Sequence, residues 1–126
     1  MTISEVAKKC GLSTDTLRYY ERIGLLPMVT RTSSGLRDYK EKDLNWIEFI
    51  KCMREAMIPV ESLVEYISLF SQGVSTREAR KAILTKEYEA LLDRIEAMRK
   101  GAERLKYKIE HYDKIMEHSE KRLLNE

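Results

Sequence analysis

The chain of 126 residues has only two cysteines, two prolines, five glycines and one tryptophan. Two cysteines are too few for a disulfide scaffold and fit a reducing cytosol, so a cytoplasmic location is expected. So little proline and glycine leaves most of the chain to regular structure. No apolar run approaches the roughly 18 residues of a membrane-spanning helix, and no membrane association is expected. The opening residues Met1-Thr2-Ile3-Ser4-Glu5 have neither the basic nor the apolar stretch of a secretory signal. Charge of one sign is also scarce. Lys and Arg number 23 against 21 Asp and Glu, a net +2, while 35% charged and 43% hydrophobic residues describe a folded protein and not a disordered tail. The length suits one domain of ordinary size.

The charge is unevenly spread. Residues 1–40 hold seven basic and four acidic side chains, an excess of three, whereas the remaining 16 basic and 17 acidic groups leave −1. A positive excess among turn-forming residues is weak support for a polyanionic partner.

Thr2 and Glu5 have capping-box spacing and open a short helix that Gly11 ends. Ser13 caps a second helix running to about Arg22 and closed by Gly24. Two short helices joined by Cys10-Gly11-Leu12-Ser13 have helix-turn-helix proportions. Pro27 breaks the pattern, and Ser33-Ser34-Gly35 predicts a β-hairpin with Arg31 and Arg37 flanking its tip, a wing. A third helix is expected from Glu41 to about Met57, with Trp46, Phe49, Ile50, Met53 and Met57 on its apolar face. Pro59 starts a fourth, striped by Val60, Leu63, Val64, Ile67 and Phe70 and stopped by Gly73. Ser75 and Glu78 form a second predicted capping box, which opens the longest segment.

That segment carries the clearest periodicity. Leu84, Tyr88, Leu91, Ile95, Met98, Ala102, Leu105, Ile109, Tyr112, Met116, Ser119 and Leu123 are spaced alternately by four and three, a heptad seam. As one rod it would run roughly 60 Å, and Gly101 would weaken it by only ~1 kcal/mol relative to Ala. So long a seam predicts a homodimer, with Tyr88, Leu91, Ile95, Met98, Leu105, Ile109, Tyr112 and Met116 at the interface. The expected organisation is mainly α. A winged helix-turn-helix DNA-binding domain with two following helices occupies 1–73, and a long coiled-coil dimerisation helix 74–126.

The stretch Ser13-Thr14-Asp15-Thr16-Leu17-Arg18-Tyr19-Tyr20-Glu21-Arg22-Ile23-Gly24-Leu25-Leu26-Pro27 resembles the recognition-helix signature of the MerR family of transcription regulators. Arg31, Gly35-Leu36-Arg37-Asp38-Tyr39 and Asp43-Leu44 also resemble that family, and the likeness covers the whole chain. Lys40 and Pro59 depart from it, standing where the family more often has a capping Ser or Thr. The resemblance implies a dimer joined by an antiparallel coiled coil, bound to double-stranded promoter DNA at a pseudo-palindromic site. It also implies action on RNA polymerase through promoter distortion.

A helix laid in the major groove needs long donors on its outer face. Thr14, Asp15, Arg18, Tyr19 and Arg22 share one face of the second helix, and Leu17, Tyr20 and Ile23 another. Arg18 and Tyr19 are assigned to base or phosphate contact, with Thr14, Thr16 and Tyr20 as further candidates. Arg31, Arg37 and Tyr39 are assigned to phosphates beside the wing. For Tyr20 and Tyr39 the alternative is that both are core rings.

No cysteine follows Cys52, so the ligand set of the metal-sensing members is missing and no metal or cofactor is expected. His111 and His118 read as solvated surface groups, and Cys10 as a packed thiol. Cys52 lies at the border of the third helix's apolar face. The segments Lys51-Cys52-Met53-Arg54-Glu55-Ala56-Met57, Glu65-Tyr66-Ile67 and Tyr107-Lys108-Ile109-Glu110 resemble the aldehyde- and electrophile-responsive subgroup. That likeness implies an aldehyde effector acting through Cys52, although Glu48 and Glu55 at i−4 and i+3 disfavour its thiolate. Alternatives are a non-covalent effector, constitutive action, and a coiled-coil adaptor without DNA binding. A thiol enzyme is remote, because no catalytic set accompanies Cys52.

Overall fold

Thr2 starts the first helix by two reciprocal bonds: its Oγ1 accepts from the Glu5 N–H and Glu5 Oε1 accepts from the Thr2 N–H, both at 3.2 Å. The structure, a computed structural model, describes residues 1–124. Helix α1 spans Ile3–Cys10 and ends at Gly11, whose φ of 70° is the left-handed conformation glycine adopts without strain. Ser13 Oγ accepts from the Thr16 N–H at 3.0 Å and caps α2, Thr14–Arg22. Val6, Cys10 and Leu17 bury their side chains between these two helices and the rest of the core. The turn is also held from outside, because Lys51 Nζ donates to the Cys10 carbonyl at 2.7 Å.

The wing is shorter than a hairpin of two strands. It consists of one antiparallel bridge between Arg31 and Arg37, flanked by Thr32 N–H to Leu36 O and Asp38 N–H to Thr30 O, each 2.7 Å. Gly35, with φ 86°, makes the tip turn. Among the described residues there is no sheet. Leu25, Leu26 and Val29, which lead into the wing, are buried and anchor it to the helices.

Helix α3 spans Glu41–Glu55, and Lys40 at its N-cap is served from within the helix: its N–H donates to Asp43 Oδ2 at 2.7 Å. Asp43 is the one charged side chain buried among the described residues. The expected extension to Met57 does not occur. Ile58 N–H returns to Met53 O and Met57 N–H to Arg54 O, which turns Met57 into the left-handed region at φ 66°. Met57 is therefore exposed and not on the apolar face, while Ile58 takes the buried place and Ile47 joins Ile50 in the core. Helix α4, Val60–Ser71, buries Leu63 and Ile67. Phe70 at its end is 45% exposed, with its ring 4.9 Å from that of Trp46.

The Ser75–Glu78 capping box is replaced by a single 3₁₀ turn, Val74–Thr76, in which Thr76 Oγ1 lies 2.7 Å from both the Leu69 and Gly73 carbonyls. Helix α5 then spans Arg77–Glu110. The expected single rod is interrupted at His111, and a separate α6 covers Tyr112–Leu123. At the break Tyr107 stacks on His111 at 4.2 Å, and His111 Nδ1 sits 2.9 Å from the Tyr107 carbonyl. That carbonyl also accepts the His111 N–H, so the local partners of Tyr107 O lie on one residue. The chain divides into a first compact unit, Met1–Glu87, and a second that begins at Tyr88.

Candidate nucleic-acid interface

Helix α2 is amphipathic in the sense its sequence predicts. Leu17 is fully buried, and Tyr20 and Ile23 pack against the core. Arg18, Tyr19 and Arg22 face outward. Arg18 Nη1 reaches Asp15 Oδ1 at 3.2 Å and Thr14 Oγ1 at 3.4 Å, an exposed pairing along one helix that a phosphate or base edge can displace at small cost. The Arg22 guanidinium lies over the Tyr19 ring, 5.4 Å from its centre, and Tyr19 meets Tyr20 edge-on at 6.2 Å. Thr14 and Thr16 are half-buried, and the Thr16 hydroxyl is held 2.8 Å from Ser13 Oγ in the cap.

The wing arginines converge on α2. Arg37 Nε donates to Glu21 Oε1 at 2.7 Å, Arg31 Nη2 lies 3.8 Å from the same oxygen, and the Val29 N–H donates to Oε2 at 2.8 Å. Burial raises the pKa of Glu21, but the bonds from Arg37 and Val29 and the charges of both arginines outweigh it, and the carboxyl lies below its ordinary range. Arg18, Arg22, Arg31 and Arg37 line an open cleft of 470 Å³ between the helix and the wing.

Tyr39 does not belong to this surface. Its side chain is 2% exposed and its hydroxyl is buried without a partner among the described residues. The phosphate contact expected of it is corrected to a core position, because its ring is buried in the cluster that also holds Leu17 and Ile47. Burial raises its pKa.

Of the two thiols, Cys10 is buried and Cys52 exposed. Burial, followed by the charge and hydrogen bonding of Glu48, pushes the Cys10 thiol up, with Lys51 and Lys9 opposing weakly. Cys10 is thus held as an unreactive thiol. Cys52 stands on the solvent side of α3, next to the Lys51 that ties this helix to the helix-turn-helix turn.

Along the second unit, the side chains of Tyr88, Ile95, Met98, Leu105, Ile109 and Tyr112 are exposed, and those of Leu91 and Met116 half-buried. This is an apolar row on a single chain. Glu21 and Lys51 were not singled out from the sequence. The available signal for Glu21 was an acid next to Arg22 at the end of the helix, followed by two arginines at the ends of a turn.

Residues 1–69 match the family pattern described as MerR HTH family regulatory protein. The chain is 56% identical over 93 residues to the HTH-type transcriptional regulator AdhR of Bacillus subtilis strain 168, which covers 74% of this chain and 66% of that protein's length. A crystal structure of a MerR family transcriptional regulator from Listeria monocytogenes superposes with a TM-score of 0.82 at 41% identity, over 99% of this chain and 95% of that one. HiNmlR, a MerR family regulator lacking the sensor domain and crystallised bound to promoter DNA, aligns with a TM-score of 0.76 at 28% identity, over 90% of each chain.

Proposed function

Because the chain belongs to the MerR family of helix-turn-helix regulatory proteins, we propose that it works as a homodimer that distorts promoter DNA in response to reactive aldehydes or thiol stress. Its class is that of its relatives, a DNA-binding transcription regulator and not an enzyme. The observation that carries the reading is the outward face of α2, where Arg18, Tyr19 and Arg22 stand beside Arg31 and Arg37 of the wing. Residues 1–73 form the DNA-reading domain and 74–126 the dimerisation segment. Two copies pair along the row from Tyr88 to Met116, in antiparallel fashion, and present two recognition helices to a pseudo-palindromic site. Arg18 and Tyr19 read bases or grip phosphates, with Thr14, Thr16 and Tyr20 in support, and Arg31 and Arg37 hold the flanking backbone. RNA polymerase is engaged through the promoter both proteins occupy, in the cytoplasm.

The effector enters at Cys52. Its sulfur adds to an aldehyde carbonyl carbon, the C–S bond forming as the carbonyl oxygen takes the thiol proton. The adduct favours one of two DNA-bound shapes of the dimer. Support for Cys52 is its exposure and its place on α3, next to the Lys51 strut. Mobility shift on the protein's own upstream region is expected to show retardation with a steep salt dependence. In a reporter strain, formaldehyde, methylglyoxal or diamide induces the wild type, and Cys52→Ser abolishes the response. Mass spectrometry locates the adduct. A mutant that still responds ends the thiol reading and leaves a non-covalent effector.

A further inference from the structure

An acidic residue on the helix that meets DNA is a liability, since its charge repels the phosphates. Glu21 nonetheless sits on the last turn of α2, with its side chain 11% exposed and both oxygens engaged. Its partners come from three places. Val29 lies just before the wing, Arg31 on its first limb and Arg37 on its second. The wing itself is weakly built: one bridge and two flanking backbone bonds hold its limbs together. Such a turn has little rigidity of its own.

Resting on the DNA-binding reading above, we propose that Glu21 is the positioning residue of the interface, its single carboxylate gathering both limbs of the wing onto α2. Arg37 gives its Nε edge to Glu21, and among the described residues its terminal nitrogens meet no other acceptor. Two guanidinium groups share one carboxylate, so the cluster stays cationic and keeps donors for a phosphodiester in the cleft lined also by Arg18 and Arg22. Glu21 thus does not touch DNA. It sets the distance between the groove-reading helix and the phosphate-holding wing, a quantity that matters for a correctly spaced operator and little for arbitrary DNA.

This reading and the bland electrostatic one differ in sign. Removing a negative charge that merely faces DNA strengthens binding to every sequence. Removing a positioning charge weakens binding to the operator alone. Fluorescence anisotropy of the full chain on a duplex from its own upstream region, against a scrambled duplex of equal composition at matched salt, separates them. Glu21→Gln is expected to bind the upstream duplex roughly tenfold more weakly, the size of one lost charge-assisted bond, and the scrambled duplex as well as before or better. Arg37→Lys keeps the charge but cannot hold Glu21 through Nε while presenting a fork, so it is expected to lose a similar factor. The double variant is expected to be no worse than either single one. Wild-type affinity of either single variant for the upstream duplex, additive losses in the double, or equal losses of Glu21→Gln on both duplexes overturns the positioning role. If Glu21→Gln fails to fold, as a thermal melt would show, Arg37→Lys at wild-type affinity still refutes it. A wild type that does not distinguish the two duplexes refutes the DNA-binding reading itself, and the role of Glu21 with it.

Discussion

Two residues hold conformations or charges that their surroundings impose, and both have measurable consequences. Met57 adopts φ 66° because α3 must end there for Ile58 to reach the core, yet its side chain is 66% exposed and packs on little. A left-handed conformation costs a non-glycine residue about 1–2 kcal/mol, of which glycine's extra unfolded-state entropy returns part. Met57→Gly is therefore expected to raise unfolding stability in urea by up to about 1 kcal/mol, and a loss would show that Met57 packs on something in the working assembly. Glu21 has its pKa depressed despite burial, so its contribution is fully present above the ordinary carboxylate range and is lost as pH falls through the lower folded-state value. The stability difference between the wild type and Glu21→Gln is expected to be constant from neutral pH down to that range and to shrink below it. A gap that persists into strong acid would place the effect in packing and not in charge.

At the scale of elements, each helix boundary depends on which group reaches an end carbonyl or amide. Caps made by adjacent residues were readable: Thr2 with Glu5, Ser13 with Thr16, and Gly11 all behave as their spacing predicts. Where the N-cap residue has no capping side chain, or the group arrives from elsewhere in the chain, local pattern was silent. Lys40 carries no capping side chain, but Asp43 accepts its N–H, and Cys10 O is met by Lys51 from a helix 41 positions away. Removing the buried carboxylate in Asp43→Ala is expected to cost about 1–2 kcal/mol, read as a lower melting temperature with the helix α3 signal lost first. No change would mean that Lys40 N–H finds another acceptor. Periodicity likewise gave the apolar faces but not their ends. The seam runs on in register past His111, so nothing in its spacing marks the break there, where His111 Nδ1 sits 2.9 Å from the Tyr107 carbonyl. The outer face of α2 was legible from side-chain type and angle. Tyr39 was not, since a tyrosine beside two arginines reads alike whether its ring turns in or out.

At the scale of the molecule, the second unit poses a problem of burial. Ile95, Met98, Leu105, Ile109 and Tyr112 are each more than half exposed on one chain. Burying one such side chain contributes roughly 1.5–3 kcal/mol, so a row of them facing water is a strong drive to associate. The four-and-three spacing suits another helix of the same spacing, which a second copy would supply. Ile95→Glu with Leu105→Glu places charges in the middle of that row while leaving the exposed helix surface otherwise polar. Sedimentation equilibrium is expected to give a dimer for the wild type and a monomer for the double variant. Each half-site would then be bound alone, and loss of the second attachment is expected to weaken operator binding by about 100-fold or more. Folding of the first unit serves as the control, since neither position lies within Met1–Glu87. A double variant that remains dimeric would move the interface elsewhere, and a monomeric wild type at full operator affinity would remove the requirement for a second copy.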